Sequence, residues 1–285
     1  MKPIHPPATV GFVGLGVMGG PMAGHLIDAG YRLRVHTRTA SKAEPLLERG
    51  ATWCENVGDV AVDADAVCTI VGYPDDVEQT YFGAAGILAK CRPYAVLIDL
   101  TTSAPDLARR IADGHPQALD CPVSGGDVGA QAGTLSIMCG GTDEAFTAAL
   151  PLLKCMGKNV VHQGGPGAGQ LCKLVNQIVI AGTMLGVAEA LAFARQPGLD
   201  PDTVLRSIGD GAAQSWTLDN LGPRMLAGDF EPGFFVKHFR KDMRLAAEAA
   251  QRLGMDLPGL AIARQQYEHV DDDSGTQALI KRYDP

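Results

Sequence analysis

A doubly wound α/β domain followed by an all-helical one is the architecture that this 285-residue sequence predicts. Three observations carry the prediction. Short β-branched runs alternate with helical stretches between residues 8 and 163, a glycine-rich turn closes the first of those runs, and strand patterning stops after residue 169.

The runs, in order, are TVGFVGL (9–15), RLRVHT (32–37), DAVCTIV (65–71), AVLIDL (95–100), ALDCPV (118–123), TLSIMC (134–139) and NVVHQ (159–163). Several are apolar almost throughout, as strands covered on both faces are, and parallel sheets place strands in that setting. GGPGAG at 164–169 then gives way to a stretch, 170–196, free of Gly-Pro punctuation until Pro197. As a helix it is about 40 Å long at 1.5 Å per residue. Further helical patterns are expected at 200–208, 237–253 and 259–269, with no strand among them. The expected domains are therefore 1–165, binding a nucleotide, and 166–285, helical. Ala181, Gly182, Gly186 and Ala188 recur along the long helix, which suits close helix contact and leads to the expectation of a homodimer or homotetramer.

Composition removes several classes of function. Net charge is −8 and the 24 Lys and Arg residues are scattered, so no basic face awaits nucleic acid. The start, MKPIHPPATV, lacks a basic-then-apolar leader, and the least polar long stretch is interrupted by Asn176, Gln177 and Glu189. A cytoplasmic protein with no membrane partner is expected. The seven cysteines are an odd number without CxxC pairs or histidines at ligand spacing, which argues against both a disulfide framework and a metal site.

Gly14-Leu15-Gly16-Val17-Met18-Gly19 is a GxGxxG placed directly after a strand and opening a helix. Glycines there permit a tight turn and close approach of a pyrophosphate, while the helix start supplies N–H groups and positive dipole. This is the signature of a Rossmann-type dinucleotide site. At the end of the second strand an acidic residue would mark a ribose 2′-OH, yet the chain reads Thr37-Arg38-Thr39 with Lys42 nearby. A guanidinium assisted by hydroxyls suits a 2′-phosphate, so NADP(H) is expected to be preferred, with NAD(H) the alternative. The plainer reading of Arg38 is a solvated surface charge.

Lys173, Asn176 and Gln177 stand at i, i+3 and i+4, so one helix face presents an ammonium and two amides. A lysine in the first turn of a helix opposes the dipole, and together with partial burial this would lower its pKa toward a useful range. From spacing alone, a snorkelling lysine beside two structural amides explains the pattern as well.

Five ordered motifs add to that reading: GFVGLGVMGGPMA at 11–23, IDLTTS at 98–103, DCPVSGGDVGAQAGTLSIMCGG at 120–141, GAGQLCKLVNQ at 167–177 and GFFVKHFRKDM at 233–243. With them the chain resembles the β-hydroxyacid dehydrogenase family, which includes 3-hydroxyisobutyrate dehydrogenase, 2-hydroxy-3-oxopropionate (tartronate semialdehyde) reductase and the glyoxylate/succinic semialdehyde reductases. The resemblance implies hydride transfer between NAD(P) and a small carboxylate-bearing aldehyde or alcohol, with Lys173 as general acid/base. It implies a substrate-carboxylate site at Ser124, Gly125 and Gly126, and substrate contacts from Asn176 and Gln177. It also implies cofactor contacts from Val71, Gly72, Tyr73, Thr101 and Lys241. A hydroxyl with unobstructed backbone N–H groups makes a small anion cradle, which is the chemistry such a site needs.

Three positions depart from the family's usual pattern: Gln177 in place of Asn, Cys121 in place of Ala, and Thr37 in place of Asn. The first tilts the expectation toward the 2-hydroxy-3-oxopropionate branch, the second reads as a packed thiol, and the third weakens the 2′-phosphate expectation. Asp120 is expected to fix the cradle's loop. Trp216, Phe234, Phe235 and His238 are expected to pack the helical domain, with Trp216 or Phe234 alternatively walling the pocket. Two rival readings are an imine reductase-like enzyme, which retention of Lys173 and Ser124 opposes, and a non-catalytic dinucleotide-binding protein.

Overall fold

A computed structural model describes residues 1–283. The chain divides into two compact units, Met1–Lys173 and the remainder from Leu174.

The first unit runs β1 (Thr9–Val13), α1 (Gly19–Asp28), β2 (Arg32–His36), α2 (Glu44–Leu47), β3 (Thr52–Trp53), β4 (Ala66–Thr69), α3 (Pro74–Phe82) and β5 (Val96–Asp99). It continues through α4 (Pro105–Gly114), β6 (Ala118–Asp120), β7 (Val123–Ser124), α5 (Gly126–Ala132), β8 (Leu135–Gly140), α6 (Asp143–Met156) and β9 (Gly157–Gly164). Strands β3-β2-β1-β4-β5-β6 lie side by side and parallel, the doubly wound order. Alternate residues of the central strands enter different cores, as a pleat with two covered faces requires. Val10 and Phe12 of β1, Ala66 and Cys68 of β4, and Val96 and Ile98 of β5 join one buried cluster. Val13, next after Phe12, and Val67 and Leu97, between the paired residues of β4 and β5, join the other.

The sheet then changes direction. β8 is antiparallel to β6 and β7 and parallel to β9. ALDCPV, read as one strand, is broken at Pro122, which has no N–H for a ladder. Asp120 opposite Gly140, Val123 opposite Ile137 and Ser124 opposite Ser136 nevertheless keep one uninterrupted register along β8. The dipeptide strand β3 had not been expected; it pairs only with the end of β2.

The helix α7 (Ala168–Arg195) is 28 residues long and continuous through the division between units. Among the described residues it is the one helix long and apolar enough to cross a membrane by composition alone. It is followed by α8 (Pro201–Gly209), α9 (Trp216–Ala227), α10 (Val236–Arg252), α11 (Pro258–Tyr267) and a 3₁₀ segment, Thr276–Arg282. Helix α9 had not been expected, because Gly222 and Pro223 interrupt its pattern. Its ends are clear in retrospect: the Ser215 hydroxyl accepts the Leu218 N–H, and Gly228 closes the helix at φ +69°. Phe239 packs edge-on against Tyr267 in this unit's core, whereas Trp216 is 65% exposed and does not pack there as expected. The acidic residues Asp272 and Asp273 pair with Arg240 and Lys237.

Candidate active site

The carboxyl ends of β1, β2, β4 and β5 gather the residues expected to meet a dinucleotide. Gly14 follows β1 at φ +91°, its N–H donates to His36 O, and a Cβ there would collide with the Ile70 carbonyl. Only glycine fits both constraints. Gly16 has open space where its Cβ would be, and no side chain caps the start of α1. Free space over a helix N-terminus is what an approaching pyrophosphate needs, so these residues fit a dinucleotide. Leu15, Val17, Met18 and Gly19 complete the turn. Thr37 turns its hydroxyl inward, where it accepts the Leu15 N–H at 3.4 Å. Arg38 is 83% exposed and lies 3.4 Å from Asp76, while Thr39 and Lys42 are exposed beside it.

Val71, Gly72 and Tyr73 leave β4, and Val71 N donates to the Thr101 hydroxyl at 3.0 Å. Behind them lies a buried polar ladder. Asp99 Oδ1 accepts the Thr69 hydroxyl and the Thr101 N–H, and the Tyr81 hydroxyl lies 3.0 Å from Thr69. Burial pushes the Asp99 carboxyl up to about 6 against the pull of those hydrogen bonds.

Ser124 ends β7, and Gly125, at φ +134°, opens α5. A Cβ on Gly125 would press on Leu135, so the turn is both strained for other residues and crowded beneath. Cys121 is fully buried, and burial raises its thiol well above the ordinary range, in keeping with a packed thiol.

Lys173 is buried, with 6% of its surface exposed. Because α7 begins at Ala168, the lysine stands beyond the first turn, so the dipole contributes less to its environment than its expected position implied. Gln170, one turn earlier and fully buried, donates from Nε2 to Thr101 O and accepts the Ser103 N–H, both at 2.8 Å. Asp120 does not fix the cradle's loop as expected. Its two oxygens accept the N–H groups of Gly167 (2.8 Å) and Gln170 (2.7 Å), so it holds the start of α7. Burial pushes this carboxyl, too, up to about 6.

In the second unit, Asn176 donates to Gln177 Oε1 at 2.7 Å, and Gln177 Nε2 donates to Asp242 Oδ2 at 2.6 Å. Lys241 Nζ lies 3.1 Å from the other oxygen of Asp242, and both side chains are buried. Asp242, Gln170 and Asp99 were not singled out from the sequence. Each sits inside a quoted motif within three residues of one that was, which is the only signal that pointed to them. Among the described residues no group of three or more His, Cys, Asp or Glu side chains is arranged to hold a metal.

Known proteins resemble this chain over most of its length. Residues 9–165 match the model of the NAD binding domain of 6-phosphogluconate dehydrogenase. Residues 167–283 match that of the NAD-binding part of NADP-dependent 3-hydroxyisobutyrate dehydrogenase. An uncharacterized oxidoreductase of Bacillus subtilis is 52% identical, covering 96% of this chain and 98% of its own. The 2-hydroxy-3-oxopropionate reductase of Escherichia coli is 37% identical, covering 94% and 93%. The solved structure of Mycobacterium tuberculosis 3-hydroxyisobutyrate dehydrogenase with L-serine superposes with a TM-score of 0.88 at 30% identity, covering 96% of this chain and 98% of that one.

Proposed function

Since the chain belongs to the NAD(P)-dependent, 3-hydroxyisobutyrate dehydrogenase-like oxidoreductases of the β-hydroxyacid dehydrogenase family, we propose that it reduces a small semialdehyde acid, or oxidises the corresponding 3-hydroxy acid, with Lys173 as general acid/base. The nicotinamide, when bound, supplies or accepts the hydride. Lys173 Nζ gives a proton to the carbonyl oxygen in the reducing direction and takes one from the hydroxyl in the other. Ser124 and the N–H groups of Gly125 and Gly126 hold the carboxylate, a charged acceptor that strengthens each hydrogen bond. Asn176 and Gln177, three and four residues on along the same helix, each commit one N–H internally and retain a second for a substrate oxygen. Residues 14–19, 37–39 and 71–73, with Thr101 and Lys241, make up the cofactor set, and Arg38 is the reason to propose NADP(H) over NAD(H).

The observation that carries this reading is Lys173 itself: a buried lysine side chain one turn beyond Gln170, which is hydrogen-bonded to the strand-end residues Thr101 and Ser103. Initial rates with 2-hydroxy-3-oxopropionate, methylmalonate semialdehyde, succinic semialdehyde and glyoxylate, each with NADPH and NADH, test the substrate class. At least one of them turns over. Lys173→Ala lowers kcat on it by about 10³-fold, within the range for general acid/base groups, and leaves NADPH affinity within about twofold. Unchanged kcat refutes the lysine's role, and turnover of none of the four refutes the substrate class.

A further inference from the structure

Asp120 and Gln170 do more than finish a helix. The carboxylate of Asp120 spans the N–H groups of Gly167 and Gln170, and the Gln170 side chain turns back to Thr101 O and Ser103 N. The Thr101 hydroxyl in turn takes the Val71 N–H. An unbroken set of hydrogen bonds thus runs from the loop after β4, through Thr101 and Gln170, to the strand end at Asp120. The backbone seam beside it is closed to side chains. A Cβ on Gly169 would strike the carbonyls of Asp120 and Met138, and one on Gly140 would come within 2.6 Å of Gly169 N.

We propose that Asp120 and Gln170 are positioning residues for proton transfer, clamping the first turn of α7 to the strand ends so that Lys173, three residues beyond Gln170 on the same helix face, is held at a fixed place relative to the cofactor loops. This rests on the reading of Lys173 as the proton-transfer group. Ionised Asp120 accepts from both N–H groups. Protonated, it must turn an O–H toward its partners and can no longer serve both equally, so the clamp slackens in acid. The groups facing Asp120 are Asp99 on β5, Arg109 on α4 and the thiol of Cys121, the residue just after β6, while Gly140 on β8 and Gly167–Gly169 bring no titratable side chain. Asp99 opposes ionisation and Arg109 favours it.

The test uses the full-length enzyme with NADPH and 2-hydroxy-3-oxopropionate. In Asp120→Asn, kcat falls by about 10- to 100-fold, with KM and NADPH affinity within about threefold, as a small displacement of a reacting group demands. The wild-type kcat profile has an acid limb near pH 6, and this limb is absent from the variant. Gln170→Glu, which keeps the acceptor for Ser103 and repels Thr101 O, gives the same split of kcat from KM, and it carries the test if Asp120→Asn does not fold. Unchanged kcat, or an acid limb that survives in Asp120→Asn, overturns the proposal. Absence of wild-type turnover counts against the substrate reading and leaves the clamp to hydrogen exchange. There, loss of amide protection at Gly167 and Gln170 in the variant upholds the clamp, and unchanged protection overturns it.

Discussion

The loop after β1 and the start of α7 are both glycine-rich helix openings, and they are built in opposite ways. At Gly16 the backbone stands open, with nothing where a Cβ would sit, and Arg38 of the proposed cofactor set lies in solvent. Around Gly167–Gln170 the glycines are filled from beneath, and the polar groups are buried and paired with one another. The first opening has donors left over for a ligand, whereas the second has spent its donors on the protein. Substitution at the open position of the first, Gly16, should therefore show mainly in binding, and at the second mainly in folding and turnover.

The largest contrast lies between two glycines. Gly169→Ala forces a methyl into the carbonyls of Asp120 and Met138 and should cost about 3 kcal/mol or more, read as a fall in urea midpoint at constant slope. Gly16→Ala should leave that midpoint in place. A next test uses pH. Asp99 and Asp120 titrate at about 6 in the folded state, above the ordinary value of 3.8 for the unfolded chain. The folded protein therefore binds more protons between those values, and stability falls as pH rises from about 4 to about 6, by an amount on the order of a few kcal/mol. Urea titrations across that window check it, and a flat profile would contradict the buried, ionisable pair. Smaller still, Arg38→Ala should raise the NADPH dissociation constant about 10-fold and that of NADH less than twofold, with the difference shrinking in high salt because the site is exposed. Equal losses for both cofactors would remove Arg38 from 2′-phosphate recognition.

The same contrast explains what could be read in advance. The strands of the parallel half were legible because Val10, Phe12, Val67, Leu97 and Ile98 are apolar on both faces of the pleat, and the open turn was legible because GxGxxG is a local pattern. Gln170 was not, since its partners Ser103 and Thr101 lie 67 and 69 residues away and are backbone atoms that any residue carries. Asp120 was noticed, but its partner was misjudged for the same reason: Gly167 and Gln170 follow it by 47 and 50 residues. Lys173 was legible as a residue but not in its depth along the helix, because α7 starts two residues earlier than the pattern indicated. Helix α9 was hidden by Gly222 and Pro223, and the split between β6 and β7 followed from the one residue, Pro122, that cannot donate.

The alternation of β1, β4 and β5 between two separate cores has a genealogical consequence. A volume change at Phe12 can be absorbed only by residues such as Cys68 and Ile98, and one at Val13 only by partners such as Val67 and Leu97. Across relatives, compensating changes in this sheet should fall into two sets divided by odd and even position along each strand, and each set should be free to drift while the other stays fixed.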